Sequence, residues 1–196
     1  MKYPNGTKMI KSNYKDNFTS KQSFGNRGMT LEEDINATNN YYVETDRAII
    51  HKKPTPVQIV NVNYPKRSAA VITEGYFKQA STTDYNGIYR NKYIDFEAKV
   101  TKNKTLFPLA NIHEHQIKHM ESITRHGGIS FIVIRFALYN ETYFLQGEKL
   151  FSYWNDKLKG GRKSIPYQAI KEEGFFIPFH YQARVNYLSI IDKLYF

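Results

Sequence analysis

The run at 129–138, Ile-Ser-Phe-Ile-Val-Ile-Arg-Phe-Ala-Leu, constrains the fold more than any other stretch. A half-exposed strand alternates apolar and polar residues, whereas this run is almost continuously apolar, as a central strand covered on both faces should be. Arg135 interrupts it, and it is far shorter than the roughly 20 residues of a membrane span. Such a strand demands helices above and below it, and the chain supplies them. Thr30-Leu31-Glu32-Glu33 is a capping box, and Leu31, Ile35, Thr38 and Tyr42 then recur at helical spacing, which predicts a helix over 31–44. A second helix runs through Ile112, His115, Ile117, Met120 and Ile123, with Asn111 as its predicted cap and Gly127-Gly128 as its end. Further helices are predicted over 148–158, after Ser164 and over 185–194, with a strand at 142–145 and a short buried strand at 48–50. The sum is an α/β domain over 29–196, with a central sheet between helices.

Two strands at about 82–89 and 92–100, joined by Arg90-Asn91, form a predicted hairpin. Before it, Pro54 and Pro56 block both helix and central strand. Val57, Ile59, Val62 and Tyr64 continue in extended form to Pro65-Lys66-Arg67, and 68–77 is the partner segment. Residues 53–80 therefore read as an insertion projecting from the domain, with basic residues at root and tip.

The net charge of +10 argues for a polyanionic partner, because cationic side chains release counterions from phosphates; the plainer reading is a charge that only aids solubility. Residues 1–28 hold six Lys/Arg against one acid, a net of +5, without a hydrophobic pattern. They read either as a flexible basic arm following a DNA backbone or as a solvated tail. The absence of cysteine excludes disulfides, thiolate zinc sites and Cys nucleophiles. With no signal-like apolar core near the N-terminus, a soluble cytoplasmic protein is expected.

The chemistry is concentrated in Thr82-Thr83-Asp84 and Tyr93-Ile94-Asp95-Phe96-Glu97-Ala98-Lys99-Val100. Alternation along a strand puts Asp95, Glu97 and Lys99 on one face and Ile94, Phe96, Ala98 and Val100 on the core face. Asp84, on the preceding strand, would come beside Glu97. Two carboxylates and a lysine can hydrolyse a phosphodiester: the acids hold Mg²⁺, with Mn²⁺ as a substitute, and the lysine supports the developing charge. A solvated strand face with alternating charges is the competing reading, and Glu-x-Lys alone does not separate the two.

Asp84 with Glu97-Ala98-Lys99 resembles the PD-(D/E)XK nuclease superfamily, and longer strings resemble its RecU family of Holliday-junction resolvases. These are Asn26-Arg27-Gly28-Met29, His51-Lys52-Lys53-Pro54-Thr55-Pro56, Tyr64-Pro65-Lys66-Arg67, Ser81-Thr82-Thr83-Asp84-Tyr85, Thr101-Lys102-Asn103-Lys104 and His113-Glu114-His115-Gln116. The resemblance implies a restriction-endonuclease-like fold, a metal site of Thr82, Asp84, Glu97 and Gln116, and Lys99 as transition-state stabiliser. It makes the insertion a stalk that reaches into a four-way junction, with Lys52, Lys66 and Arg67 handling DNA. It also implies a homodimer cutting opposed strands, with RecA and a branch-migration motor as partners. Glu32 or Glu33 would fill the superfamily's further acidic place on the first helix, although capping already explains Glu33. The superfamily's Pro-Asp pair is absent, since Thr83 precedes Asp84.

The remaining motifs are weaker. Tyr76 and Phe77 read as base-stacking residues or core, with core the simpler assignment. His115 and His119 share a helix face, but the zinc pattern fails because Ile117 replaces its second histidine. Gly127-Gly128 and Gly160-Gly161 lack the surroundings of a phosphate-binding loop, and Lys159-Gly160-Gly161-Arg162-Lys163 is either a DNA-touching loop or a solvated turn. The sequence thus favours a structure-selective endonuclease, with a non-catalytic DNA-binding or strand-annealing factor as the alternative. A restriction-type enzyme on the same fold is disfavoured by the insertion.

Overall fold

The computed structural model describes residues 30–78 and 82–196; the basic arm predicted at 1–28, the string at 26–29 and Ser81 lie outside them. Helix α1, Leu31–Glu44, starts at the predicted box: the Thr30 amide donates to Glu33 Oε2 at 2.7 Å and the Glu33 amide to Thr30 Oγ1 at 3.2 Å. Strand β1, Ile49–Lys52, follows, and only Ile50 in it is buried; Ile49, expected inside, is exposed because β1 is an edge strand. The insertion contributes β2, Val57–Asn63, and β3, Val71–Phe77.

Strand β4, Tyr85–Tyr89, and the long β5, Lys92–Thr101, form the predicted hairpin. Arg90 and Asn91 have φ of 46° and 62°, the left-handed pair that suits a two-residue hairpin. Gly87 is required where β4 meets β1, since a Cβ there would sit 2.0 Å from the Ile49 carbonyl oxygen. Strand β6, Leu106–Pro108, precedes α2, Glu114–Arg125. That helix is capped by His113 rather than Asn111, which lies in the 3₁₀ turn Leu109–Asn111. Strands β7, Ile129–Phe136, and β8, Glu141–Gln146, lead to α3, Gly147–Leu158. The chain ends with β9 (Ser164–Pro166), α4 (Tyr167–Glu173), β10 (Phe175–Ile177) and α5 (Leu188–Tyr195). Strands β6, β9 and β10 have three residues each, too few to show periodicity in the sequence.

The main sheet has the order β1-β4-β5-β7-β8-β10 and is mixed: β5 and β7 are parallel, joined by α2 as a crossover, and the other pairs are antiparallel. One face packs on α1 and α5, where Tyr85, Phe96, Phe131 and Phe144 stack across four strands with ring centroids 4.8, 4.6 and 4.3 Å apart. The other packs on α2, α3 and α4 through Ile117, Met120, Ile132, Ile134, Leu150 and Ile170. The predicted α/β architecture, a central mixed sheet flanked by helices, is therefore the observed one. Arg135, the break in the apolar run, reaches buried Asp34 of α1 at 2.7 Å, and Arg184 meets the same carboxylate at 3.3 Å. Val100, expected in the core, is 47% exposed because β5 outruns its cover.

Among the described residues, strands β2 and β3 pair only with each other, and every residue in them is exposed. Tyr76 and Phe77, assigned most simply to the core, are 60% and 82% exposed, because the ribbon packs on nothing among the described residues. No helix among the described residues is long and apolar enough to cross a membrane.

Candidate active site

The site lies where β5 loses its neighbour. Tyr85, the first residue of β4, pairs with Phe96, so from Glu97 onward that edge of β5 is open. Asp84 lies just before β4 rather than within it, because its amide donates to Glu97 Oε2 at 3.1 Å instead of joining a ladder. A cleft of about 470 Å³ opens here, lined among others by Glu32, Lys52, Lys53, Thr82 and Asp84.

Glu97 has no exposed surface and does not itself line this cleft, but its Oε2 accepts the amide of Asp84, which does. Burial and the Asp84 carboxylate beside it push its carboxyl up to about 7, and Lys99 only partly offsets them. Lys99 Nζ lies 2.6 Å from Glu97 Oε1 but off the line of a hydrogen bond, so that oxygen is buried without a hydrogen-bond partner. Two carboxylates crowded at a buried position with only one ammonium between them are costly, and a further cation joining them would relieve that cost. Among the described residues no third His, Asp or Glu completes a cluster, so the other ligands of a cation here would be neutral oxygens and water. That donor set fits Mg²⁺, which is bound by one or two carboxylates and keeps several waters.

Of the other residues assigned to the metal, Thr82 is half-buried in the cleft wall. Gln116 is buried on α2, and its Oε1 accepts from the His113 amide at 3.0 Å; no hydrogen bond joins it to Glu97 or Lys99. Its place is nonetheless close. The crossover makes α2 run opposite to β5, and His119 Nε2 lies 3.2 Å from Asp95 Oδ2. Stepping two residues along β5, roughly 6.6 Å, to Glu97 runs alongside stepping back three residues of α2, roughly 4.5 Å, to Gln116. On the first helix, Glu33 is consumed by its cap, which lowers its pKa through hydrogen bonds from the Thr30 backbone and hydroxyl. Glu32 instead faces the cleft, paired with Lys52. Lys66 and Arg67 are remote from this centre, at the start of the 3₁₀ turn between β2 and β3.

The sequence reading missed the partners of Asp95. This carboxylate is also fully buried, but it is saturated: Lys53 Nζ lies at 2.8 Å, His119 at 3.2 Å and the Tyr93 hydroxyl at 3.3 Å, and Thr83 Oγ1 donates to its other oxygen. Lys53 Nζ also reaches Thr83 Oγ1 at 3.0 Å, and the Lys53 amide donates to the Asp84 carbonyl at 2.7 Å. The network thus clamps the turn that carries Asp84. Its only trace in the sequence is an acid on the apolar strand, two residues before Glu97.

The profile of the family described as Recombination protein U matches residues 26–193, nearly the whole chain. This chain belongs to the RecU family. A Holliday junction resolvase RecU of Oceanobacillus iheyensis is 63% identical over 196 residues, covering all of both chains. The proteins of the same name from Geobacillus kaustophilus and Bacillus subtilis are 61% and 55% identical; each match covers all of this chain, with 98% and 96% of theirs. RecU membership bears out the resemblance carried by the Asp84 and Glu97-Ala98-Lys99 strings.

Proposed function

We propose that the protein is a Mg²⁺-dependent endonuclease that resolves four-way DNA junctions by paired, symmetric nicks, as the names of its RecU relatives suggest. The observation carrying this reading is Glu97: a fully buried carboxylate at the open end of β5, crowded by the Asp84 carboxylate and offset only in part by the Lys99 ammonium at 2.6 Å. Asp84 and Glu97 would hold the metal directly, and Thr82 and Gln116 would complete its surroundings through neutral oxygens or water. When bound, Mg²⁺ polarises the phosphate and makes a water acidic enough to attack it. Lys99, a quarter exposed and paired with Glu97 at 2.6 Å, would stabilise the negative charge that builds on the phosphate oxygens. The Lys53–Asp95–Thr83 network keeps Asp84 from drifting, so the acids are preorganised rather than assembled at the moment of reaction.

Recognition would rest on shape and phosphates rather than bases. The β2–β3 ribbon is the stalk of this reading, with Lys66 and Arg67 at its tip, Lys52 at its root and exposed Tyr76 and Phe77 available to bases unpaired at the branch. A C₂ homodimer would set two such centres on opposed strands. RecA and a branch-migration motor in the cytoplasm would be its working partners. The exposed aromatics also suit strand annealing as an accompanying activity.

The test is cleavage of a labelled four-way junction and a matched linear duplex, with Mg²⁺ or EDTA. Paired nicks on the junction alone, lost with EDTA and in Glu97→Gln while gel-shift binding persists, are expected. Junction binding without cleavage under either Mg²⁺ or Mn²⁺ would leave a DNA-binding factor instead.

A further inference from the structure

Beyond the proposed catalytic cleft, the short strands β6 and β9 do something that neither does alone: they hold two basic loops at the opposite ends of one clasp. Residues 102–105 leave the end of β5 three residues after Lys99, and 159–163 follow α3. β6 pairs with β9 from Leu106↔Pro166 to Pro108↔Ser164; at its ends the Tyr167 amide donates to the Thr105 carbonyl at 2.8 Å and the Leu109 amide to the Lys163 carbonyl at 3.0 Å. Phe107 and Ile165 are fully buried and anchor the pair in the same core layer as α2, on the sheet face that carries Glu97 and Lys99.

The two loops contain Lys102, Lys104, Lys159, Arg162 and Lys163, and no acid. All five side chains are exposed, and none forms an ion pair among the described residues. Asp156 abuts Gly161 but pairs with none of them. Placing five like charges around a buried clasp costs repulsion that a solvated turn has no reason to maintain. The clasp is roughly 10 Å long at about 3.3 Å per residue. Its length matches about three steps of a DNA strand, where one phosphate follows another every 3.4 Å or so along the axis.

We infer that the β6–β9 clasp is a second DNA-contacting surface, which grips the phosphate backbone of a duplex arm leading away from the branch. This rests on the junction-cleaving reading above and adds to it an arm contact separate from both ribbon and catalytic centre. It predicts dependence on arm length, which a contact confined to the branch point lacks.

The experiment uses the full chain carrying Lys104→Ala, Arg162→Ala and Lys163→Ala together, with wild type beside it and folding checked by circular dichroism. Binding to long-armed and short-armed four-way junctions is measured in Ca²⁺ across a salt series, with hydroxyl-radical footprints. Three lost phosphate contacts should flatten the log Kd against log salt slope by roughly 2.7 on long arms, at about 0.9 per contact. The footprint should vanish along the arm while persisting at the crossover, and short arms should bind as in wild type. An unchanged slope and arm footprint would overturn the inference, as would equal losses on short and long arms. Wild-type cleavage of the same junctions in Mg²⁺ reports separately on the resolvase reading.

Discussion

Asp95 and Glu97 sit two residues apart on one strand, point to one face and are equally buried, yet they have opposite chemistry. Asp95 lies where β4 and β7 flank β5 on both edges, and Lys53, Thr83, His119 and Tyr93 saturate it. Glu97 lies where β4 has stopped; its neighbours are an acid, a lysine out of hydrogen-bond line and one backbone amide. Burial therefore does not distinguish a saturated carboxylate from the one proposed to be catalytic. What distinguishes them is whether the protein supplies enough donors or leaves the deficit to a cation.

The sharpest way to break this comparison is to neutralise each acid in turn. Glu97→Gln should lower junction cleavage by at least about a thousandfold while binding in Ca²⁺ stays within a few-fold, since it removes the proposed metal ligand and no core contact. Lys99→Met should cost on the order of a hundredfold in single-turnover cleavage, in the range found when one charge-stabilising donor is lost. Asp95→Asn should act on folding first: it leaves the Lys53 ammonium without its counter-charge, a loss of about 3 kcal/mol, and lowers the melting temperature by roughly 6–12 °C.

The smallest effect concerns pH in metal-free protein. Glu97 titrates near 7 when folded and near 4.5 when unfolded. Above about 4.5 the unfolded chain gives up this proton first, so stability falls as pH rises toward 7 and levels off beyond it. Melting curves from pH 5 to 8 should show a decline that Glu97→Gln lacks and Asp95→Asn keeps. A decline that persists in Glu97→Gln would place the uncompensated acid elsewhere.

The sheet and helices were legible because their signals are long: the capping box at Thr30, the apolar run ending β7 and the Arg90-Asn91 hairpin each specify local structure over many residues. The adjacency of Glu97 and Lys99, on the face proposed to be catalytic, was legible because alternation alone puts them together. Nothing in the sequence showed that Asp95 belongs to a different class from Glu97, since its partners come from positions 53, 83, 93 and 119 and meet only in the fold. The exposure of Tyr76 and Phe77 was hidden for the converse reason: an apolar strand carries no sign that its ribbon will pack on nothing. Asn111 misled as a cap because a 3₁₀ turn precedes α2 and passes that role to His113.

The most direct test of the distinction is a Mn²⁺ titration followed by electron paramagnetic resonance, on wild type, Glu97→Gln and Asp95→Asn below their melting temperatures. Saturable binding in wild type, lost in Glu97→Gln and kept within a few-fold in Asp95→Asn, is the predicted result. Wild-type Mn²⁺ binding by Glu97→Gln would contradict the assignment of the metal to the open end of β5.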